Sequence, residues 1–116
     1  MTITIGQIQS VVAREFGVPV IEMTSDRRDA EATKVRHLAM YLARELTGHS
    51  YPQIGRAFGR RDHTTVMHGV KRALDWIAYD PALAARVERL KEHLSGGDDG
   101  RAAVVEVVSG GLASRP

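Results

Sequence analysis

The stretch Ser50-Tyr51-Pro52-Gln53-Ile54-Gly55-Arg56-Ala57-Phe58-Gly59-Arg60-Arg61-Asp62-His63-Thr64-Thr65-Val66 decides how this chain is read. Ser50 and Gln53, three apart, make a capping box, in which each residue satisfies an orphaned backbone N–H of the other. Pro52 stands in the first turn, where its missing N–H does no harm. The helix so started is short, roughly Tyr51 to Phe58, because Gly59 closes it. Arg60 and Arg61 form a brief turn, and Asp62 is a good N-cap for a longer helix. Val66, Val70, Ala73, Leu74 and Ile77 mark the buried stripe of that helix. A short helix, a tight glycine turn and a second helix opening on polar residues make a helix-turn-helix.

The residues of that opening turn suit contact with base edges. Thr64 and Thr65 each offer a hydroxyl and a methyl, and the methyl can touch a thymine methyl. His63 supplies a ring donor or acceptor, and Asp62 can cap the helix while accepting from a cytosine amino group. The free N–H groups of the helix end attract phosphate. The plain alternative for these four residues is a well-capped helix start.

Working outward, Val35, Leu38, Ala39, Leu42, Ala43 and Leu46 recur at helical spacing and predict an apolar stripe. Lys34, Arg36, His37, Tyr41 and Arg44 fall opposite it, so one side is expected to pack and the other to face out as a basic surface. Thr4 and Gln7 predict another capping box, followed by Ile5, Ile8, Val11, Val12 and Phe16 and stopped by Gly17. A short segment follows Pro19, and Ser25 to Asp29 reads as a charged loop. Asp80-Pro81 restarts the chain, and Leu83, Val87, Leu90 and Leu94 form a last amphipathic helix. Trp76 and Tyr79 are expected to pack against it. The fold class is therefore all-α, with a domain over residues 1–94 and a Gly-rich tail over 95–116. Within that tail residues 102–108 are a short apolar run with no settled structure.

Composition bounds the chemistry. The 116 residues suffice for one domain with a modest core. With no cysteine, disulfides, cysteine nucleophiles and cysteine-based zinc sites are excluded. No apolar run approaches a membrane span, and the N-terminus lacks the build of a signal peptide, so a cytoplasmic protein is expected by default, nucleoid-associated if it binds DNA. His63 and His68 lie about 140° apart on a helix and cannot share an ion, so no metal is expected. No nucleophile, base and acid are placed together, and no paired carboxylates stand near a glycine loop, so an enzyme is not expected. The overall charge is only +2, but residues 27–72 carry ten Lys or Arg against four acids, a local +6. That is the footprint of a phosphate-backbone binder or, in the plain alternative, a solvated basic face.

The runs Ala39-Met40-Tyr41-Leu42-Ala43-Arg44-Glu45-Leu46-Thr47, Ile54-Gly55-Arg56-Ala57-Phe58-Gly59 and Arg61-Asp62-His63-Thr64-Thr65-Val66 resemble the DNA-binding domain IV of the DnaA replication-initiator family. The resemblance covers about residues 3–94. It implies an all-α, Trp-repressor-like fold that binds the DnaA box on double-stranded DNA, read from two grooves. On it Asp62, His63, Thr64 and Thr65 read the major groove with Tyr51 and Pro52 beside them, and Arg28 reaches the minor groove. Arg36, His37 and Arg44 hold phosphates, and Arg61 and Lys71 join them in the mechanism expected here.

Several residues depart from the family's usual pattern. Val35-Arg36-His37 stands where Pro-Arg-Gln is usual, and Gly59-Arg60 where two glycines are usual. Asp29 and Glu31 flank the basic loop. Gly69 lies within the recognition helix at a cost of up to about 1 kcal/mol relative to alanine, so packing must hold that helix. No G-x-x-x-x-G-K-S/T phosphate loop and no Gly-Lys pair occurs in the 116 residues. ATP binding is therefore not expected of this chain, nor any cofactor. The expectation is a stand-alone regulator of replication or transcription that competes for or marks DnaA-box-like sites. A fragment of a longer initiator is a second reading. In a third, the chain is an adaptor whose segment 102–108 docks on a replication or transcription protein.

Overall fold

The Thr4 hydroxyl accepts from the Gln7 N–H at 3.1 Å while Gln7 Oε1 accepts from the Thr4 N–H at 2.8 Å, so the first helix starts where the capping box predicts. This computed structural model describes residues 3–96. Among them the chain forms α1 (Ile5–Phe16), a 3-10 turn (Val20–Met23), α2 (Ala30–Thr47), α3 (Tyr51–Ala57), α4 (His63–Tyr79) and α5 (Pro81–Gly96), with no strand. Gly17 ends α1 in the left-handed region at φ +71°, as glycine does without steric cost. Asp29 caps α2 through its carboxylate, which accepts from the Ala32 N–H at 3.1 Å. A carboxylate there also meets the positive end of the helix dipole.

Helix α2 is the centre of the molecule and packs against every other element. Ile8 and Val12 of α1, Met23 of the 3-10 turn, Leu38, Met40 and Leu42 of α2, Ile54 of α3, Phe58, Val66 of α4 and Val87 of α5 meet in one core. The outward face expected on α2 is therefore a misreading. Arg36 is only 4% exposed and Tyr41 7%. The 3-10 turn covers Arg36, and α5 covers Tyr41, whose hydroxyl accepts from Lys91 Nζ at 3.3 Å. A stripe at helical spacing identifies one packed side; it does not report that a second layer closes over the other.

Two further expectations fail on the outer side of α4. Leu74 is 47% exposed and Tyr79 88%. Leu74 lies one residue, about 100°, past Ala73 and so falls outside the arc of Val66, Val70 and Ala73 that points inward. Trp76 packs against α2, where it stacks on His37 with ring centroids 5.8 Å apart. Asp80 restarts the chain as expected, its carboxylate accepting from the Leu83 N–H at 3.2 Å. Helix α5 runs on through Gly96. The apolar run at 102–108 lies outside the described residues. Among those described, no helix is long and apolar enough to cross a membrane.

Candidate nucleic-acid interface

The capping box at Ser50 is formed on both sides, with Gln53 N–H on the serine hydroxyl at 3.2 Å and the Ser50 N–H on Gln53 Oε1 at 2.9 Å. Eight residues after Ser50, the wholly buried Phe58 anchors the end of α3 in the core. The chain then turns sharply through Gly59 at φ +86° and Arg60 at φ +61°, both in the left-handed region. The Arg61 N–H returns to the Gly55 carbonyl at 2.8 Å. Gly55 is required here, since a Cβ on it would overlap the Arg61 carbonyl oxygen. Val66 sits 3.5 Å from that same point, so α3 and α4 touch without a side chain between them. The sequence order helix, glycine turn, helix thus folds as the arrangement it predicts.

Asp62 then caps α4, its carboxylate accepting from the Thr64 N–H at 3.0 Å. Hydrogen bonding from Thr64, by its hydroxyl and then its backbone N–H, holds the Asp62 carboxyl below its ordinary range. It therefore stays an ionised acceptor. His63 Nδ1 lies 3.6 Å from the other carboxylate oxygen. Asp62, His63, Thr64 and Thr65 are all exposed. Among the described residues, nothing covers the face they form.

The chain matches the family described as bacterial dnaA protein helix-turn-helix over residues 5–73. It belongs to that family. The chromosomal replication initiator protein DnaA of Rhodopseudomonas palustris is 49% identical over 92 residues, which are 79% of this chain and 20% of that protein. The protein of the same name from Gluconobacter oxydans is 44% identical over 94 residues, 81% of this chain and 20% of that one. A solved structure described as a DNA replication initiation factor superposes with a TM-score of 0.71 at 31% identity, over 80% of this chain and 28% of that chain. The chain thus spans about a fifth of the length of the curated relatives it matches.

Around the exposed turn of this DnaA helix-turn-helix, the other expected site residues divide into three groups. Arg28, Pro52 and Lys71 are exposed. Lys71 follows Thr64 by seven residues, nearly two full turns, and so shares its side of α4. Arg44, Tyr51, His37 and Arg61 are half-buried. The Arg44 guanidinium lies 4.5 Å from the Tyr51 ring centroid and gives Nη1–H to the His49 carbonyl at 2.8 Å, fixing the entry to α3. Arg36 is buried, so it does not stand on an outward basic face. Its Nε–H goes to the Glu22 carbonyl at 2.9 Å and its Nη2–H to the Arg27 carbonyl at 3.3 Å.

His37 stacks on Trp76 at an interplanar angle of 19°, and its Nδ1 is buried without a hydrogen-bond partner. Burial first, then the charges of Arg72, Arg36 and Arg61, push its pKa down to about 4. The ring is neutral near pH 7. Arg72 is a cation that the site reading passed over. It is exposed, follows Thr65 by seven residues and lies 5.7 Å over Trp76, with Lys34 5.3 Å from the same ring. The spacing from Thr65 was the available signal. The stack on Trp76 was not visible without the packing of α2 on α4.

Proposed function

We propose that this chain binds double-stranded DNA sequence-specifically at sites of the DnaA-box type. The opening turn of α4 enters the major groove, where Asp62, His63, Thr64 and Thr65 read base edges with Tyr51 and Pro52 beside them. Arg28 reads the adjacent minor groove. Arg44, Lys71 and Arg72 attract the phosphate backbone. What carries this reading is the exposure of Asp62 to Thr65 at the capped start of a helix braced from behind by α3. A purely structural cap has no need for two threonines and a histidine presented to solvent within a basic surround.

The work done here is recognition, with no covalent step. These 116 residues hold no phosphate loop, so occupancy of such sites by this chain needs no nucleotide hydrolysis of its own. Its role is regulation of replication initiation or of transcription at the sites it occupies. Selection from a random duplex library with the purified chain tests this. A single enriched motif with DnaA-box character is expected, bound at least about a thousandfold more tightly than scrambled duplex at physiological salt. Equal affinity for enriched and scrambled duplexes would leave only nonspecific charge attraction and overturn it.

A further inference from the structure

The loop that carries Arg28 is gripped from below by the helix-turn-helix itself. Arg36 of α2 donates to the carbonyls of Glu22 and Arg27. Arg61, one residue before the cap of α4, gives its Nη2–H to the Ser25 carbonyl. Gly59 comes so close that a Cβ there would stand 2.6 Å from the Thr24 carbonyl oxygen. The buried Glu22 carboxylate completes the set, accepting from Ser25 Oγ at 2.8 Å and Arg27 Nη1 at 2.9 Å. Four backbone carbonyls between Glu22 and Arg27 therefore lie against the guanidiniums or the turn. Arg28 follows immediately. On its other side Asp29 is pinned as the cap of α2. Arg28, itself exposed, is thus held between two points whose backbone is fixed.

We propose that Arg61 and Arg36 are positioning residues, a brace that sets the loop bearing Arg28 in register with the opening turn of α4, and that neither neutralises a DNA phosphate. The proposal rests on the DNA reading above and specifies how its two contact elements are coupled. Geometry supports it. Arg36 cannot reach a phosphate while buried, and Arg61, half-buried with its Nε wholly enclosed, commits its Nη2–H to the Ser25 carbonyl of the loop. Two like charges close together are an odd choice for simple structure, but both make bonds to backbone carbonyls that an apolar side chain cannot make. The charge repulsion also means that neutralising Arg61 relieves Arg36, which favours a folded variant.

The test compares Arg61→Met, Arg61→Gln, Arg28→Ala and Lys71→Ala in the full chain, using the duplex enriched by selection and its single-base variants. A lost phosphate contact lowers the slope of log K against log salt by about 0.9. Lys71→Ala is expected to do this with base discrimination intact. Arg61→Met is expected to keep the wild-type slope and lose roughly tenfold or more of the discrimination at the base pairs where Arg28→Ala loses it. The double variant should lose no more there than Arg28→Ala alone. Arg61→Gln, neutral but still a donor, should keep the slope and recover part of the discrimination. In the free protein, hydrogen exchange over residues 24–29 should rise in Arg61→Met while α4 is unchanged. A slope lowered by about 0.9 in both Arg61 variants, with discrimination and exchange at the wild-type level, would make Arg61 a phosphate ligand and overturn the brace. If Arg61→Met does not fold, the slope of Arg61→Gln decides alone. Failure of the wild type to discriminate among duplexes would strike the DNA reading, while the exchange measurement still judges the brace.

Discussion

Gly69 of α4 lies directly against the imidazole of His37 in α2. A Cβ on Gly69 would stand 2.8 Å from His37 Cδ2, closer than real Cβ atoms come, and a tight 3.0 Å from Met40 Sδ. His37 cannot easily yield, because its ring is stacked on Trp76, and Met40 is wholly buried. This contact explains a glycine in the middle of a recognition helix. Gly69→Ala gains up to about 1 kcal/mol of helix propensity but overpacks the α2–α4 seam at a cost of about 1–3 kcal/mol. A net loss of about 1 kcal/mol is expected, read as a lower urea midpoint with an unchanged m-value. A raised midpoint would mean that the seam is loose.

The same seam predicts an acid-sensitive fold. His37 in the folded protein titrates near 4, below its ordinary 6.5, because burial and the cations Arg72, Arg36 and Arg61 oppose its charge. The unfolded chain therefore takes up the proton first as pH falls. Stability supplied by the neutral ring is present above about pH 6.5, declines between 6.5 and 4, and levels off below. The ring is partly exposed, which screens the effect to roughly 1–2 kcal/mol. His37→Gln, which never charges, should lose this component. The difference between the two stability-against-pH curves should be confined to that window, and parallel curves would assign the acid sensitivity to other groups.

Backbone conformation at the turn gives a prediction of the opposite sign. Arg60 is held at φ +61°, where a residue with a Cβ is strained by about 1–3 kcal/mol. Arg60→Gly removes that strain but adds freedom to the unfolded chain, worth about 0.4–1 kcal/mol the other way. A net gain of up to about 2 kcal/mol is expected in thermal or urea unfolding. Arg60→Ala is the control, since it removes the charge and keeps the Cβ. Equal stabilisation by both would mean that charge, not backbone strain, is what Arg60 contributes.

These three residues mark the boundary of what could be read from the chain alone. Local signals were legible: the capping boxes at Thr4 and Ser50, the cap at Asp62, the Asp80-Pro81 restart and the exposed turn Asp62 to Thr65 all reside within four residues of sequence. What was not legible depends on a partner far along the chain. Arg36 looked outward until the 3-10 turn was laid over it, and Tyr41 until α5 covered it. Asp29 looked like a charge opposing the basic loop, whereas its carboxylate caps α2. Gly69 looked like a helix weakness, because the atoms that require it belong to His37 and Met40 of another helix.

Arg44 and Lys71 should separate anchoring from architecture. Lys71 is exposed and has no ion-pair or hydrogen-bond partner recorded among the described residues, so Lys71→Ala should leave stability within about 0.5 kcal/mol. Its whole effect should be a uniform loss of affinity across duplex sequences. Arg44 also gives Nη1–H to the His49 carbonyl and lies over the Tyr51 ring. Arg44→Ala should therefore weaken all duplexes alike and lower the salt slope, and in addition destabilise the fold by about 1–2 kcal/mol by releasing the entry to α3. Arg44→Lys decides between the two contributions. A lysine keeps the point charge but lacks the planar fork, so the salt slope should return while the thermal loss largely persists. Full recovery of both would reduce Arg44 to a simple charge, and recovery of stability without the slope would remove it from the phosphate contacts altogether.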